Sequence, residues 1–379
     1  MTADISIFDG TSPLRIDKPL RLIELFAGYG SQALALKYLG IPFEHHRISE
    51  WAIKSIYAYK ELHATDDNCD YSVPFTDKEI RKWFYGGRIS SNYNDPIADD
   101  KIDKMPIDEL RRLFNAMQAT NNKGSVVGVK AADLKITDTD KYTYLMTYSF
   151  PCQDLSKSGL QKGMSRDGNT RSGMLWQVER ILFECKELGN LPQILLMENV
   201  PDVVGTKNFA DFQDWIASLD SLGYRSYWQI LNATEFGIPQ NRKRCYMVSV
   251  QGDHYYDFPH KIGCEKRLKD VLEKDVGEEY YLSDDLVRSF MRWSDRHQSK
   301  GDGFKFQPQS RGGANRAFAI TSKAGSRQLD NYIDESPSLW IEGNRFPSEH
   351  EAGRVYNPLG ISRAIKENHG EVATIKEQQ

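Results

Sequence analysis

The chain has 379 residues, of which 40% are hydrophobic and 27% are charged, and its formal net charge is −4. This length suits one large domain with an insertion or two domains, and the composition is that of a folded globular protein. No apolar run approaches the roughly 18 residues of a membrane-spanning helix, and the N-terminal segment has no signal-peptide pattern. We therefore expect a cytoplasmic protein without a membrane partner.

The five cysteines are scattered along the chain and odd in number, namely Cys69, Cys152, Cys185, Cys245 and Cys264. No two of them form a Cys-x-x-Cys pair, and none lies in a cluster with zinc-ligand spacing. We therefore expect reduced thiols, no disulfide framework and no metal site. The net charge argues mildly against a nucleic-acid partner, although the charges are unevenly distributed.

The first elements form a strand, a glycine turn and a helix. An apolar run at residues 20–26 predicts the strand, the sequence AGYG breaks it, and Ser31 is expected to cap a helix that runs to Gly40. A second strand is predicted at residues 43–48, and a second helix begins near residue 51. Elements in this order open a doubly wound α/β sheet.

The remaining elements predict two domains. Residues 60–125 are polar and are predicted to be an insertion containing one amphipathic helix at residues 106–119. Strands are then predicted at residues 142–150, 193–200, 224–231 and 245–250, with helices at residues 172–188 and 209–223. This alternation predicts an α/β catalytic domain over residues 1–253 with a mostly parallel sheet. A smaller, loop-rich domain follows over residues 254–345, with a helix capped by Ser283, and residues 346–379 are expected to return toward the first domain.

Residues at the predicted strand ends indicate a cofactor pocket. Gly28 and Gly30 lie in the turn between strand and helix, where a bare backbone admits a cofactor, although the third glycine of the dinucleotide signature is absent. Glu50 ends the second strand, where an acid binds ribose hydroxyls, and Trp51 beside it is suited to cover an adenine ring. Asp133, predicted at the end of a third strand, is placed to receive the adenine amino group. Singly, each fits an ordinary turn, a surface acid or a core aromatic; together they describe an adenosine pocket.

A second group of residues is able to carry chemistry. Cys152 follows a proline at the end of an apolar run, where packing is the default role of a cysteine and nucleophilic attack is the alternative. Glu198 ends a predicted strand, and Arg242 and Arg244 are expected on one face of the strand leading into CYMVSV. Taken separately, Glu198 fits a capping carboxylate, and the two arginines fit a solvated strand edge. Jointly, a thiolate, an acid and a cation suit attack on an electron-poor ring.

The motifs LIELFAGYGSQALAL, SEW, ADL, SFPCQDLSKSG, LLMENV and ATEFGIPQNRKRCYMVSV occur in this order. Together they resemble the DNA (cytosine-5)-methyltransferase family over residues 20–250, apart from the polar insertion. The Pro-Cys-Gln, Glu-Asn-Val and Gln-x-Arg-x-Arg elements are highly specific. LQKGM and NTRSGMLWQVERIL look like a subgroup of phage and bacterial enzymes of the restriction–modification type.

The resemblance implies a Rossmann-like fold, S-adenosylmethionine as methyl donor and double-stranded DNA as substrate. It implies that Cys152 adds to ring carbon 6 of a cytosine turned out of the duplex, while Glu198 holds or protonates ring nitrogen 3. The resemblance also assigns supporting positions: Arg242, Arg244 and Gln240 to the base; Phe26, Gly28, Gly30, Glu50, Trp51, Asp133, Leu134 and Pro151 to the cofactor; and Gln153 and Ser156 to the loop over DNA. Chemistry on a paired base requires its extrusion from the stack.

A basic region downstream is expected to bind DNA. Residues 286–327 contain nine lysines and arginines against two acids. Arg288, Arg292 and Arg296 are four residues apart and would form one stripe of a helix, and Arg311, Arg316 and Arg327 follow in the loop-rich part. The alternative is a solvated basic face.

One expected element is not found. Family members end in a helix that returns to the cofactor pocket, and residues 346–379 show no matching segment. The chain is then either a naturally short or cut monomer with weakened cofactor binding, or a DNA-binding part of a split methyltransferase that requires a second polypeptide to supply the missing helix. An RNA-directed enzyme is a weaker alternative, because the basic region would then have no role. A nicotinamide dehydrogenase is also weaker, because Cys152 and Glu198 would then have no role. The target DNA sequence does not follow from one chain.

Overall fold

The computed structural model of the chain describes residues 12–151, 172–274, 276–301, 305–310, 314–320, 330–334, 341–344 and 354–356. Its strands are β1 (Ser12–Pro13), β2 (Leu20–Leu25), β3 (Phe43–Ser49), β4 (Thr143–Tyr148), β5 (Ile194–Asn199), β6 (Tyr224–Asn232), β7 (Gln240–Asn241), β8 (Lys243–Gln251), β9 (His254–Tyr255), β10 (Gln309–Ser310), β11 (Ala317–Phe318), β12 (Ile333–Asp334), β13 (Ile341–Asn344) and β14 (Arg354–Tyr356). Its helices are α1 (Ser31–Tyr38), α2 (Ile53–His63), α3 (Asp77–Trp83), α4 (Asp99–Ile102), α5 (Ile107–Ala119), α6 (Ala131–Leu134), α7 (Leu175–Glu187), α8 (Phe209–Ser221) and α9 (Asp284–Lys300).

The chain divides into two compact units, and neither is continuous in sequence. The first unit comprises Met1–Leu231 and Lys243–Pro259, and the second comprises Asn232–Arg242 and His260–Gln379. The sequence boundary at residue 253 therefore differs from this division, because a short segment before β8 groups with the second unit. Within the described residues, no helix is long and apolar enough to cross a bilayer.

The first unit is built on a six-stranded sheet in the order β3-β2-β4-β5-β8-β6. Strands β3, β2, β4 and β5 run parallel to their neighbours, and β8 pairs antiparallel with β5. The carboxyl ends of the four parallel strands therefore meet at one edge of the sheet, and the first residues of β8 lie at that same edge. The predicted doubly wound α/β fold with a mostly parallel sheet is confirmed.

Two helices and the central strands form the main core of this unit. β4 and β5 have the sequences TYLMTY and ILLMEN, nearly continuous apolar runs that are typical of strands covered on both faces. Helix α7 buries Leu175, Val178 and Ile181 at helical spacing, and α8 buries Phe212 and Trp215. These side chains belong to one apolar cluster with the sheet, which holds the strand ends in fixed positions.

The polar region at residues 60–125 forms a helical layer with its own core. The sequence predicts one helix there, whereas the structure has α3, α4 and α5, which pack with α2. Thr76 begins α3 with a capping box, in which its side chain accepts from the backbone of Glu79. The short helices contribute few buried residues each, such as Ile80 and Ile102, so their apolar periodicity is too brief to stand out in the sequence.

The second unit contains α9 and short paired strands. Ser283 caps α9 as predicted, since its side chain accepts a hydrogen bond from the backbone of Leu286. Phe290 is buried and packs its ring against Phe306 and Tyr332. The pairs β7–β11, β10–β12 and β13–β14 complete the described part of this unit. The expected return of residues 346–379 lies outside the described residues, apart from β14.

Candidate active site

The turn after β2 exposes backbone at the carboxyl edge of the sheet. Phe26, Gly28 and Gly30 all have positive φ angles, of 58°, 55° and 80°. A Cβ atom placed on Gly28 would meet no atom within 4 Å, so the space above this residue is open. The turn therefore allows a ligand to approach the main chain directly, which is the role predicted for it.

Gly30 has a different role, because it is packed against α2. A Cβ atom there would lie 2.3 Å from Nε2 of His63 and 2.7 Å from the Tyr59 ring. His63 in turn bonds the carbonyl oxygen of Tyr29 through Nε2, at 2.9 Å. Gly30 in its left-handed conformation is the N-cap of α1, so the prediction that Ser31 caps this helix is wrong.

These two glycines make a matched pair of variants. We expect Gly30→Ala to lower the free energy of unfolding by about 2–4 kcal/mol, since it adds left-handed strain and overpacks His63. Gly28→Ala has open space and should lose only about 1 kcal/mol, from the left-handed strain alone. Thermal or urea unfolding of both variants measures the difference, and equal losses would contradict the assigned roles.

Glu50 is buried directly beside the open turn. One carboxylate oxygen accepts from the backbone N–H of Gly28 at 2.8 Å, and the other accepts from that of Ala52 at 2.7 Å. The side chain of Asn122 holds the main chain of Glu50 from both sides, accepting from its N–H and donating to its carbonyl oxygen. Burial raises the pKa of the Glu50 carboxyl above its ordinary value. The predicted Glu50 and Gly28 are therefore brought together, with the half-buried Trp51 adjacent in the chain.

The structure does not place Asp133 at the end of a strand. Asp133 lies in the short helix α6, and its carboxylate accepts from the backbone N–H of Lys130 at 3.0 Å. In place of a third parallel strand, the chain makes an isolated bridge between Ile48 and Asn122 and then a 3-10 turn at Val126–Gly128 before α6. Leu134 is fully buried in the main core. The expectation for Asp133 as a strand-end acid is therefore wrong.

An ion pair marks the carboxyl end of β5. Nε of Arg244 lies 2.9 Å from Oε1 of Glu198, and their side chains are only 18% and 22% exposed. Arg244 is near the start of β8, which runs antiparallel to β5 and pairs Glu198 with Tyr246. A guanidinium at this distance fixes the orientation of the carboxylate and leaves its second oxygen for another partner. Two residues singled out from separate motifs thus form one site.

Asn199 is a further site residue, and its role is visible only in the structure. It is 3% exposed, donates from its side-chain amide to the carbonyl oxygen of Phe150 at 3.1 Å and accepts from the N–H of Val200. It therefore ties the end of β5 to the segment after β4 that leads through the half-buried Pro151 into Cys152. Its position inside the Glu-Asn-Val motif was the available signal.

Arg242 is separated from Arg244 by the division of the chain. The prediction that both lie on one face of a strand is wrong, since β8 begins at Lys243 and Arg242 belongs to the second unit. There Arg242 donates to the carbonyl oxygen of Ile320 at 3.4 Å, and Gln240 lies in β7, paired with β11. The two arginines are therefore held by different structural elements.

Cys152, Gln153 and Ser156 lie outside the described residues. Of the four cysteines that are described, Cys185 and Cys245 are buried, and burial raises the pKa of each thiol to about 12. Such thiols are inert, because the thiolate is the nucleophile. Cys69 is exposed, and Cys264 lies in the second unit and donates to the carbonyl oxygen of Lys266.

Comparison with known proteins decides the family. The family model for C-5 cytosine-specific DNA methylases matches residues 101–369, which is more than half of the chain. The chain belongs to this family of DNA methylases. Membership identifies it as an enzyme, a DNA methyltransferase that acts on carbon 5 of cytosine, and confirms the resemblance seen in the sequence.

Curated relatives align with most of this methylase. It is 36% identical over 270 residues to the type II methyltransferase M2.ScrFI of Lactococcus lactis, covering 71% of each chain. It is 35% identical over 267 residues to the orphan methyltransferase M.SssI of Spiroplasma monobiae, covering 70% of this chain and 68% of that protein. Among solved structures, the S. pombe Dnmt2 methyltransferase aligns with 88% of this chain and 78% of its own, at 17% identity and a TM-score of 0.47, too weak to carry a structural argument.

The second unit of the methylase carries a basic helix face. Arg288, Arg292 and Arg296 are all exposed on α9, on the side opposite the buried Phe290 and Ser294. Arg288 also pairs with Asp285 at 2.9 Å. The predicted stripe is therefore formed. Arg316 is exposed beside β11, whereas Arg311 and Arg327 lie outside the described residues.

Proposed function

We propose that this methylase transfers the methyl group of S-adenosylmethionine to carbon 5 of a cytosine in double-stranded DNA, through covalent addition of Cys152 to ring carbon 6. The observation that carries this proposal is the Glu198–Arg244 ion pair, at the carboxyl edge of the sheet where open α/β folds bind substrates. Asn199, next to Glu198, bonds the segment that leads into Cys152. This hydrogen bond therefore links the strand end that carries Glu198 to the segment that leads into Cys152.

The residues around the glycine turn fit the methyl donor. The open space above Gly28 leaves room for a ligand, and the buried carboxylate of Glu50 is an acceptor beside it for ribose hydroxyls. Phe26 and Trp51 are half-buried and supply the aromatic surface that an adenine ring requires. When bound, S-adenosylmethionine supplies an electrophilic methyl group on a positively charged sulfur. We assign the adenine edge to Leu134 and Pro151 as well as Asp133, from the family resemblance alone.

Gly28→Ala tests this part of the proposal. A methyl group in the open space above the turn should weaken S-adenosylmethionine binding about tenfold or more, since a loss of 1.4 kcal/mol is tenfold in affinity. Isothermal titration calorimetry with the folded variant measures it. An unchanged affinity for S-adenosylmethionine would show that the glycine turn does not contact the cofactor.

The chemistry of the base falls to three side chains. The thiolate of Cys152 adds to ring carbon 6, which breaks the 5,6 double bond and moves its electron pair to carbon 5. Glu198, fixed by Arg244, holds or protonates ring nitrogen 3 and thereby stabilises the charge that the addition places on the ring. After carbon 5 has taken the methyl group, a water molecule removes the carbon-5 proton, the electron pair of that C–H bond restores the 5,6 double bond, and the carbon–sulfur bond breaks to release the Cys152 thiolate. A proton given to ring nitrogen 3 returns to Glu198. Buried Cys185 and Cys245 are unsuited to this role.

Access to the base requires its extrusion from the duplex. Unstacking and unpairing one cytosine costs a few kcal/mol, which contacts to the DNA backbone and the Watson–Crick edge must offset. From the family resemblance we assign Arg242, Arg244 and Gln240 to the base, and Gln153 and Ser156 to the loop over the DNA. The backbone contacts are assigned to Arg288, Arg292, Arg296, Arg311, Arg316 and Arg327.

The stripe on α9 gives a prediction for DNA binding. Arg292→Ala should weaken binding to every sequence and lower the slope of log K against log salt by about 0.9, the share of one phosphate contact. Fluorescence anisotropy with a labelled duplex at several salt concentrations measures both. Gln298→Ala, on the same helix and also exposed, should leave the slope unchanged. An unchanged slope for Arg292→Ala would show that Arg292 makes no contact with a DNA phosphate.

Two measurements test the proposed function as a whole. Purified protein should transfer labelled methyl groups from S-adenosylmethionine to duplex DNA, and bisulfite sequencing of DNA from cells expressing it should show methylated cytosines in one sequence context. We place the enzyme in the cytoplasm of a bacterial or phage-infected cell. We assign it to the restriction–modification type because M2.ScrFI and other relatives are designated type II methyltransferases. Transfer by the purified chain alone would exclude an obligatory second polypeptide, which the family match up to residue 369 does not favour.

A further inference from the structure

A polar cleft opens at the outer edge of β3 in the first unit. It has a volume of about 280 Å³ and is formed by the segment after α3, the end of α5 and residues 121–133. Its lining includes Trp83, Arg88, Gln118, Asn121, Lys123 and Asp133. None of these residues belongs to the Glu198 site, and of them only Asp133 was given a role from the sequence.

Arg88 lines this cleft, and its guanidinium has more N–H donors than hydrogen-bond acceptors around it. Its guanidinium carbon lies 4.3 Å from the centre of the Trp83 ring, which fixes the plane of the group. Nη1 makes one long hydrogen bond, at 3.4 Å, to the carbonyl oxygen of Lys123. Nε is buried and has no hydrogen-bond partner among the described residues. A buried N–H without an acceptor is unfavourable. Nη2 also makes no hydrogen bond among the described residues, so the guanidinium, which lines the cleft, keeps donors for a ligand.

Lys123 adds a second positive charge. Within the described part of the chain, its ammonium makes no ion pair and no side-chain hydrogen bond, although the residue is half-buried. Burial lowers the pKa of Lys123, and repulsion from Arg47, Lys135 and Arg88 lowers it further, whereas Asp133 raises it. A ligand with negative charge would relieve this repulsion.

The side chains that line the cleft carry a net positive charge. Asp133 is the carboxylate among the lining residues, and it already accepts from the backbone of Lys130. Arg88 and Lys123 together therefore exceed its charge by one. The amides of Gln118 and Asn121 supply neutral donors beside the two cations. A planar guanidinium, an ammonium and amide donors around one cleft match a tetrahedral oxyanion.

We propose that this cleft binds a phosphate group, with Arg88 and Lys123 as its cationic ligands and Gln118 and Asn121 as neutral donors. The same chemistry is found in free phosphate or a nucleotide and in the backbone of DNA. The cleft shares Asp133 with the residues assigned to the cofactor and none with Cys152, Glu198 or Arg244, so the proposal does not rest on the covalent step.

Lys123→Gln is the variant that tests the cleft. It removes one charge from a half-buried position, and Lys123→Arg restores the charge. Lys101→Gln is the matched control, because Lys101 is exposed on α4 in the same helical layer. Asn122 also lines the cleft but is left unchanged, since its side chain holds the main chain of Glu50.

Thermal unfolding of the full chain in inorganic phosphate, against chloride at equal ionic strength, gives the first readout. We expect saturating phosphate to raise the Tm of the wild type about 2–4 °C more than that of Lys123→Gln. Phosphate also stabilises proteins in general by exclusion from their surface, so this difference between variants is the diagnostic quantity. Lys123→Arg and Lys101→Gln should respond as the wild type does.

The salt dependence of binding to a short duplex gives the second readout and separates the sources. If the ligand is a DNA phosphate, Lys123→Gln should lower the slope of log K against log salt by about 0.9. A phosphate-dependent Tm difference with an unchanged slope would assign the cleft to a free phosphate or nucleotide. Equal Tm shifts for wild type and Lys123→Gln, together with equal salt slopes, would overturn the proposal.

Discussion

Replacing Cys152 by serine is expected to lower methyl transfer by about 10³-fold or more, because a hydroxyl is a far weaker nucleophile than a thiolate at neutral pH. Binding of the duplex and of S-adenosylmethionine should stay within about threefold of the wild type, since one sulfur-to-oxygen change removes few contacts. Turnover with labelled cofactor and anisotropy with a labelled duplex separate the two effects.

Cys69→Ser is the matched control for this variant. Cys69 is an exposed cysteine of the helical layer and should tolerate the same exchange without loss of activity. Turnover by Cys152→Ser near the wild-type rate would remove Cys152 from the mechanism. Loss of activity in Cys69→Ser would point to a general sensitivity of the protein to thiol replacement.

Glu198→Gln is expected to lower kcat by about 10²–10⁴-fold, the usual share of a positioned acid or base. Glutamine keeps the size of the side chain but cannot donate a proton to ring nitrogen 3. The loss should appear in kcat rather than in the affinity for S-adenosylmethionine, because Glu50 and the glycine turn are assigned to the cofactor. Removing the ion pair with Arg244 should alter stability by only about 1 kcal/mol, since both side chains reach solvent.

Another carboxylate–arginine pair of the same sheet provides the control. Glu44 pairs with Arg21 at 2.7 Å near the start of β3, at the opposite end of the strands from Glu198. Glu44→Gln should retain wild-type kcat. A tenfold loss of cofactor affinity in Glu198→Gln, without a loss of kcat, would contradict the role assigned to this acid.

The parts of the fold that depend on local pattern were predictable from the sequence. The apolar runs of β4 and β5 and the glycine turn after β2 are each contained in a few consecutive residues, so the ends of these strands follow from the local sequence. The motifs around Glu198 and Arg244 were recognisable for the same reason. Their contact was not, because it depends on β8 running antiparallel to β5.

The predictions that were wrong concern positions that depend on tertiary structure. Asp133 was expected at a strand end, but the segment before it makes a single bridge to β3 and then turns into α6. Arg242 was grouped with Arg244, whereas the chain passes from one unit to the other between them. Gly30 is the N-cap of α1 in a left-handed conformation, and the absence of a side chain there leaves the space that His63 occupies.

The central claim is that Cys152 forms a covalent bond to the target cytosine. A duplex in which the target carries fluorine at carbon 5 tests it most directly, because the final step requires loss of a proton from that carbon and fluorine cannot leave in its place. After incubation with S-adenosylmethionine and digestion, mass spectrometry should find the modified nucleotide on the peptide that contains Cys152. An adduct on another residue, or methylation of normal DNA by the same preparation without any adduct on the fluorinated duplex, would contradict the account.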